Sequence, residues 1–446
     1  MKHKTNNTYL LIGSLLFGLF FGAGNLIFPV TLGQEAGENV WLTNLGFLIT
    51  GIGLPLLGII AMAVSNVESV FQLANQVNRR FAYAFTVLLY LVIGPFFAIP
   101  RLATTSYEIA VAPFVSPAAN KIVLAIYSIV FFLLAWLAAR KPKNLLTIIG
   151  KVLTPTLLIL LCSLFIFNFI NPLADISQVA VQGPYQSQPI TVGFIEGYNT
   201  LDALAALAFG IIVVHSLQEL GIHDKVTMTR DIIISGLIGV GLMGVIYTLL
   251  ARLGAESMAL VDQPSTNGGQ ALAMIAQYYL GDIGLLLLGL TVLIACFKTS
   301  IGLLTAFSET FVDMFPRLSY ASCLLIATIL PTLFSNFGLN MIISLSLPVL
   351  MFIYPLAIVL ILLSIISAFL PLNHLVFQWA MVLTGLAAIF DSLKVMEFSW
   401  LLANPLYQSL LSFAEQFLPF YNLGLGWTLP ALLGILLGLI FSRKHG

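Results

Sequence analysis

The sequence predicts an all-α membrane protein with about twelve transmembrane helices, the first of them interrupted near its middle. The 446 residues are 59% hydrophobic and only 8% charged. In an ordinary soluble domain roughly 25% of the residues are charged. Apolar runs of membrane-spanning length recur from Tyr9 to Phe441. The first run lacks a small-residue cleavage site and carries Gly and Asn at its centre, so we interpret it as a permanent helix and not as a signal peptide.

The spans follow one another closely, so no soluble domain is left over and residues 1–446 form one membrane domain. Two outer connections, residues 252–282 and 394–423, are long enough to contain short lid helices. Asn267-Gly268-Gly269 is the expected hinge of the first. The predicted spans are residues 9–30, 41–64, 81–106, 121–139, 148–170, 195–217, 232–251, 283–311, 319–336, 340–369, 375–392 and 424–441.

Basic residues are divided very unevenly between the two sides of the predicted bilayer. The poorer side carries only Lys121, Arg252 and Lys394. Because Lys and Arg are retained preferentially in cytoplasmic loops, the richer side is the cytoplasm, and both termini face it. The net charge of zero gives no reason to expect a nucleic-acid partner. The thirteen of the eighteen basic residues on the cytoplasmic side are Lys2, Lys4, Arg79, Arg80, Arg140, Lys141, Lys143, Lys151, Lys225, Arg230, Arg317, Arg443 and Lys444.

The first span contains small and polar residues where a regular helix would be expected. Gly22, Ala23, Gly24 and Asn25 lie mid-span, and Pro29 follows. Each Gly weakens a helix by roughly 1 kcal/mol against Ala, and unwound membrane backbone persists only where protein, ligand or ions satisfy its polar groups. A half-helix beginning here presents free N–H groups to a carboxylate, while unwound carbonyls bind cations. Close helix packing through small residues is the alternative, but it does not need the amide of Asn25.

The segment from Glu196 to Gly210 mixes polar, small and glycine residues in the same way, in the sixth span. Five-helix units at residues 9–170 and 195–369 would then have opposite membrane orientations and form an inverted repeat, followed by two helices in residues 370–446. Glu196 is expected to be solvated at the outer helix end. For Asp202 a functional and a structural role are equally open. The candidate ligand-binding residues of this segment are Ala205, Ala206, Phe209 and Gly210.

Arg101 and Lys298 fall inside or near spans, where a charge is costly and usually has a function or a partner. Arg101 follows Pro95 and Pro100, which kink a helix and free carbonyls for a guanidinium to bond. A structural role is therefore expected for Arg101. The alternative is an ion pair with Glu108, or with another carboxylate, at an outer gate.

Three motifs resemble those of the branched-chain amino acid:cation symporter family, and the resemblance extends over essentially the whole chain. They are Phe-Gly-Ala-Gly-Asn-Leu-Ile-Phe-Pro at 21–29, Ile-Gly-Pro-Phe-Phe-Ala-Ile-Pro-Arg at 93–101 and Leu-Asp-Ala-Leu-Ala-Ala-Leu-Ala-Phe-Gly at 201–210. The resemblance implies uptake of leucine, isoleucine and valine across the bacterial cytoplasmic membrane by alternating access, and a fold similar to the leucine-transporter type. The helix breaks would hold the charged ends of the amino acid. No cofactor is implied, and the coupling ion would be H⁺ or Na⁺.

Residues 295–302 of the eighth span, Ala-Cys-Phe-Lys-Thr-Ser-Ile-Gly, resemble the stretch that supplies a second sodium site in sodium-coupled transporters of that fold. Carried over to this chain, the site uses the carbonyls of Gly18, Phe21 and Ala295 and the side chains of Lys298 and Thr299. An ammonium would occupy the place of the ion, because two cations cannot share one low-dielectric cage without a large electrostatic cost. Since burial disfavours a charged lysine, our hypothesis is that Lys298 is a titratable cation surrogate and that transport is coupled to protons.

Other interpretations remain open at the level of sequence. Lys298 could reach into an inner vestibule or pair with Asp202 or Glu309, which would leave Na⁺ as the coupling ion. A sensor that binds amino acids without moving them is a further alternative. An enzyme is not expected, since the sequence has no H-E-x-x-H or G-x-S-x-G motif.

Two further sequence features carry little functional information. Cys162, Cys296 and Cys323 stand singly in apolar runs, without the spacing of a disulfide framework or a metal site. Gly434 and Gly438 permit close helix association in the last span, but such patterns are frequent in apolar runs, so the oligomeric state stays open.

Overall fold

The computed structural model describes residues 6–140, 154–219, 225–396 and 399–444, and these four segments are helical almost throughout, with no strand. Helices are the expected solution because lipid offers no hydrogen bonds, so each spanning segment must satisfy its own backbone. Residues 148–153 of the predicted fifth span lie outside the described residues, as do Lys2, Lys4, Lys141, Lys143 and Lys151.

The first repeat contains nine α-helices in its described part. Their bounds are α1 Asn6–Phe20, α2 Ala23–Ala36, α3 Val40–Leu48, α4 Leu54–Val64, α5 Val70–Ala74, α6 Arg79–Leu91, α7 Ala98–Ala110, α8 Asn120–Ala139 and α9 Thr154–Ile170. The broken first span is α1 with α2. Wide π-type turns join α3 to α4 at Ile49–Gly53 and α6 to α7 at Val92–Phe96. Gly94 has non-helical angles (φ −91°, ψ −119°), so the third span is interrupted where the sequence predicted a proline kink.

The second repeat begins with another broken span. Its helices are α10 Pro189–Glu196, α11 Asp202–Glu219, α12 Lys225–Ser257, α13 Gly268–Met314, α14 Tyr320–Phe334 and α15 Leu339–Phe369. Within α13, Gly281 has a left-handed φ of +57°, which separates the predicted lid helix from the eighth span. The lid predicted within residues 252–282 is therefore helical from Gly268 onward.

Two more spans and the two shorter helices between them follow the repeats. They are α16 His374–Lys394, α17 Ser399–Leu402, α18 Pro405–Phe417 and α19 Thr428–Lys444. α19 lies against α16, and a Cβ added at Gly438 would lie 2.4 Å from the Cα of Val376 in α16. The two glycines of the last span are therefore used in packing within the chain. The lid predicted in residues 394–423 corresponds to α17 and α18.

Eight helical segments of the described residues are long and apolar enough to cross a membrane, by length and composition. The predicted spans without a segment of their own among them are the broken first and sixth spans and the shorter helices α9 and α19. Most of α2, the second half of the first span, is counted with the second span in the segment Gly24–Val64. Apolar side chains such as Ile122 in α8 and Leu436 in α19 are exposed, which fits a surface that faces lipid. The all-α membrane fold with broken helices 1 and 6 is thus confirmed.

Glycines bring the first span against the seventh and the second against the sixth. A Cβ at Gly254 of α12 would lie 2.2 Å from the carbonyl oxygen of Val30 in α2, and one at Gly193 of α10 would lie 1.9 Å from that of Thr43 in α3. The absence of Cβ therefore lets the backbones touch, as is common between membrane helices. The two pairs correspond to each other under the inverted repeat. Gly33 against Ala251 and Gly46 against Ile190 make further such contacts.

Candidate functional site

The break in the first span is short, and the helix that follows it is capped by an asparagine side chain. Phe21 and Gly22 lie between α1 and α2, and Gly22 is extended (φ −120°, ψ −154°). The N–H of Gly22 donates to Oδ1 of Asn25 at 2.7 Å. Because this bond caps the new helix, Ala23, Gly24 and Asn25 form its first turn. The predicted unwinding across residues 22–25 is thereby corrected to residues 21–22.

The break in the sixth span combines a tight 3₁₀ turn with one left-handed residue. The turn is Gly197–Thr200, and Leu201 has φ +65°, after which α11 begins at Asp202. A non-glycine residue is rarely left-handed, and such residues concentrate at functional sites. A Cβ at Gly197 would lie 1.9 Å from Oγ1 of Thr50, so this break lies directly against the π-type turn of the second span.

A buried polar cluster joins the two breaks to the seventh span. Nδ2 of Asn25 donates to Oδ2 of Asp202 at 2.5 Å and also to the hydroxyl of Tyr247 in α12. That hydroxyl donates to the same Oδ2 of Asp202 at 2.7 Å. All three side chains are at most 2% exposed. Tyr247 was not predicted, and its one signal in the sequence is a hydroxyl within an apolar span.

A cavity opens between the breaks, and several candidate residues line it. Its wall includes the candidates Gly22, Gly24, Asn25, Ala205, Thr299, Arg101 and Asp202, together with Phe20, Ile93, Ala98, Leu102, Thr200, Leu201 and Leu303.

Three candidates of the sixth span do not line this cavity. Ala206 faces Gly58 of the second span, and Phe209 packs against Phe20 with ring centroids 5.9 Å apart. Gly210 lies against Met62 and lines a separate cavity. The reason is position along α11, because residues 209 and 210 lie one turn or more beyond Ala205.

Arg101 reaches across the bundle to the second break. Nη1 donates to the carbonyl of Asn199 at 2.7 Å and Nη2 donates to Oγ of Ser346 in α15 at 2.8 Å. The guanidinium carbon lies 5.2 Å from the ring centroid of Phe28, and the residue is 2% exposed. The predicted bonds to carbonyls freed in its own helix are thus replaced by a bond to the unwound part of another helix.

Glu108 is engaged elsewhere, at the lid. Its Oε2 accepts from Nδ2 of Asn267 at 2.9 Å, and Oδ1 of Asn267 caps α13 by accepting from Gly269 N–H at 3.0 Å. A Cβ at Gly268 would lie 1.9 Å from the carbonyl oxygen of Ile27. In the described residues Arg101 and Glu108 therefore form no ion pair, and the predicted hinge residues fasten the lid helix to the first and third spans.

Lys298 is fully buried, and its Nζ bonds two of the three carbonyls that the family resemblance assigned to the site. Its Nζ donates to the carbonyl of Gly18 at 2.6 Å and to that of Phe21 at 2.9 Å. Oγ1 of Thr299 donates to the carbonyl of Phe21 at 3.3 Å, and Ala295 is buried one turn earlier on the same helix. Nζ also lies 5.6 Å from the ring centroid of Phe17. Within the described residues, these carbonyls accept the hydrogen bonds of the ammonium and Asp202 does not.

Comparison with known sequences gives one consistent result. The sequence family described as branched-chain amino acid transport protein matches residues 5–445. The chain is 42% identical to the branched-chain amino acid permease BrnQ of Bacillus subtilis, over 99% of this chain and 98% of that one. It is 37% identical to the branched-chain amino acid transport system 2 carrier protein of Pseudomonas aeruginosa, over 100% and 98%.

Solved structures show the same fold at low sequence identity. Mhp1, a nucleobase-cation-symport-1 family transporter, superimposes with a TM-score of 0.58 at 13% identity, covering 98% of this chain and 92% of its own. MhsT in complex with L-phenylalanine superimposes with a TM-score of 0.57 at 16% identity, covering 98% of both chains. The predicted leucine-transporter type of fold is confirmed.

Proposed function

Because the chain belongs to the branched-chain amino acid transport protein family and is a multi-pass membrane permease, we propose that it imports leucine, isoleucine and valine together with a proton, by alternating access. The amino acid occupies the cavity between the two helix breaks. The α-carboxylate lies near the first turn of α2, where the positive end of the helix dipole attracts it.

The apolar wall of the cavity receives the aliphatic side chain. Phe20, Ile93, Leu102, Leu201 and Leu303 contribute to this wall. Because one methylene changes binding in such a pocket by only about 1–3 kcal/mol, discrimination among the three amino acids is modest.

The coupling proposal depends on one observation, the two hydrogen bonds from Lys298 to the carbonyls of Gly18 and Phe21. These carbonyls lie where the inner half-helix α1 ends, so a protonated Lys298 fastens the eighth span to the break. Deprotonation removes the positive charge and one N–H donor, which weakens this link between α13 and α1. Protonation of Lys298 from the outside then favours one orientation of the transporter, and release of the proton to the cytoplasm favours the opposite orientation.

The test is leucine uptake into proteoliposomes driven either by an inward proton gradient without sodium or by a sodium gradient alone. For the wild type we expect accumulation with the proton gradient and none with sodium alone. For Lys298→Arg we expect counterflow of leucine without gradient-driven accumulation, because arginine keeps the charge but does not release its proton.

Lys298→Thr is the second arm of this experiment. It removes the ammonium and restores the small hydroxyl side chain expected at a sodium site, so we expect loss of proton-driven accumulation. Strict sodium dependence of the wild type would refute proton coupling, and so would proton-driven accumulation by Lys298→Arg. Absence of both uptake and counterflow in the wild type would instead favour a sensor.

A further inference from the structure

We infer that Arg101 and Asp202 are the two charged contacts of the substrate, with the guanidinium binding the α-carboxylate and the Asp202 carboxylate binding the α-ammonium. The inference rests on the proposed transport of amino acids and adds a specific recognition device to it.

Arg101 carries a buried charge without a compensating carboxylate. Its side chain is 2% exposed, and among the described residues no carboxylate lies within ion-pair distance of it. Both terminal nitrogens have neutral acceptors, whereas the buried Nε has no hydrogen-bond partner within the same part of the chain. A buried charge is costly unless it is paired. Arg101 lines the cavity, so an anion bound there would supply the missing charge and offer an acceptor to Nε.

Asp202 has the complementary arrangement. Asp202 is 2% exposed, and the donors to its carboxylate include the neutral amide of Asn25 and the neutral hydroxyl of Tyr247, both bonded to Oδ2. No ion pair of Asp202 occurs among the described residues. Its position at the first residue of α11 stabilises the negative charge through the helix dipole, but no cation from the described part of the chain pairs with it. An ammonium in the cavity would do so.

The two charges line one cavity without pairing with each other. Arg101 comes from the third span and Asp202 from the sixth, so a single ligand in this cavity that neutralises both must carry two opposite charges. An α-amino acid zwitterion has this property, whereas an amine or a 2-oxo acid leaves one of the two protein charges unpaired. The cavity therefore selects for both charged groups, while the apolar wall selects for the side chain.

The experiment measures the binding of three ligands to the purified full-length protein, through the ligand-dependent shift of its thermal unfolding midpoint. The ligands are leucine, leucinamide, which lacks the carboxylate charge, and 4-methyl-2-oxopentanoate, which lacks the ammonium. For Arg101→Gln we expect leucine to bind about 10- to 100-fold more weakly, the range for a charged hydrogen bond, while leucinamide binding changes little. For Asp202→Asn we expect weaker leucine binding and little change for 4-methyl-2-oxopentanoate.

Ser346→Ala is the matched control, because it removes one structural partner of Arg101 and keeps the guanidinium. We expect it to preserve the wild-type ratio of leucine to leucinamide affinity. Equal weakening of leucine and leucinamide in Arg101→Gln would show a purely structural role and overturn the inference.

Two further readouts separate folding and function from recognition. The unfolding midpoint without ligand reports folding. If Arg101→Gln does not fold, Arg101→Lys takes its place, because it keeps the charge. We expect its ratio of leucine to leucinamide affinity to lie between that of the wild type and that of a variant without the charge. A leucine to leucinamide ratio in Arg101→Lys equal to that of the wild type would count against the planar guanidinium contact. Wild-type protein that binds no leucine at all would instead contradict the proposed function.

Discussion

At the scale of single residues, Asn25 uses both ends of its amide. Oδ1 accepts from the N–H of Gly22 and caps α2, while Nδ2 donates to Asp202 and to Tyr247. The first bond shapes the local break, and the other two hold the sixth and seventh spans against it. A carboxylate of the same size could keep the cap but could not donate.

Replacing Asn25 by Asp separates these two functions. We expect Asn25→Asp to lower the initial rate of leucine uptake at least about 10-fold, because two donors are lost and two carboxylates then face each other, each change costing on the order of 1 kcal/mol or more. Tyr247→Phe removes the hydroxyl alone and should lower the rate by about 2- to 10-fold. Equal rates for the two variants would contradict this account of the cluster.

Local sequence patterns predicted some of these residues and could not predict their partners. Asn25 stood out as a polar group mid-span, and the resemblance assigned Gly18 and Phe21 to Lys298. Tyr247 is separated from Asn25 by 222 positions, so no periodicity within one helix relates them. The partners of Arg101 in two other helices were missed for the same reason.

At the scale of helices, glycine decides how closely neighbouring spans approach. In α12, a Cβ at Gly254 would lie 2.2 Å from the carbonyl oxygen of Val30. A Cβ at Gly241 of the same helix would have no atom within 4 Å from any other described helix. The two glycines therefore offer a matched pair in one helix.

We expect Gly254→Ala to destabilise the protein, because separating α12 from α2 costs about 1–3 kcal/mol, the range for overpacking. Gly241→Ala should be neutral or stabilising by up to about 1 kcal/mol, since Ala is the better helix former. The measurement is the thermal unfolding midpoint of each purified variant in detergent. A midpoint for Gly254→Ala at or above that of Gly241→Ala would be inconsistent with the close contact.

Most spans could be predicted from hydropathy, and the eighth predicted span, 283–311, falls within α13. The exact breaks could not. The cap of Asn25 shortened the first interruption, and the second depends on a left-handed Leu201, a conformation that the residue type disfavours. The π-type turn at Ile49–Gly53 has no local signature, because it is formed where the second span meets the break of the sixth.

At the scale of the whole molecule, the distribution of charge implies an orientation in the bilayer. We expect Gln178, in the connection after α9, to face outward, and Asn75, after α5, to face the cytoplasm; both are exposed. The test uses Gln178→Cys and Asn75→Cys in a background with the three native cysteines replaced by serine.

A membrane-impermeant maleimide should label intact cells at position 178 alone and should label position 75 only after permeabilisation. The reverse pattern would place both termini outside and would invalidate the assignment from basic residues.

The packing of the broken spans also has a mechanical consequence. α12 runs uninterrupted from Lys225 to Ser257 and packs against both α1 and α2, so one continuous helix supports both halves of the broken first span. The second span supports the broken sixth span in the same way. The π-type turn of the second span, at Ile49–Gly53, lies against the break of the sixth. The first break is thus supported by a continuous helix, and the second by a span that is itself irregular at the same place. We therefore expect bending stiffness to differ between the two halves of a nominally symmetric fold, with the softer bend at the left-handed Leu201, which lines the cavity between the two breaks.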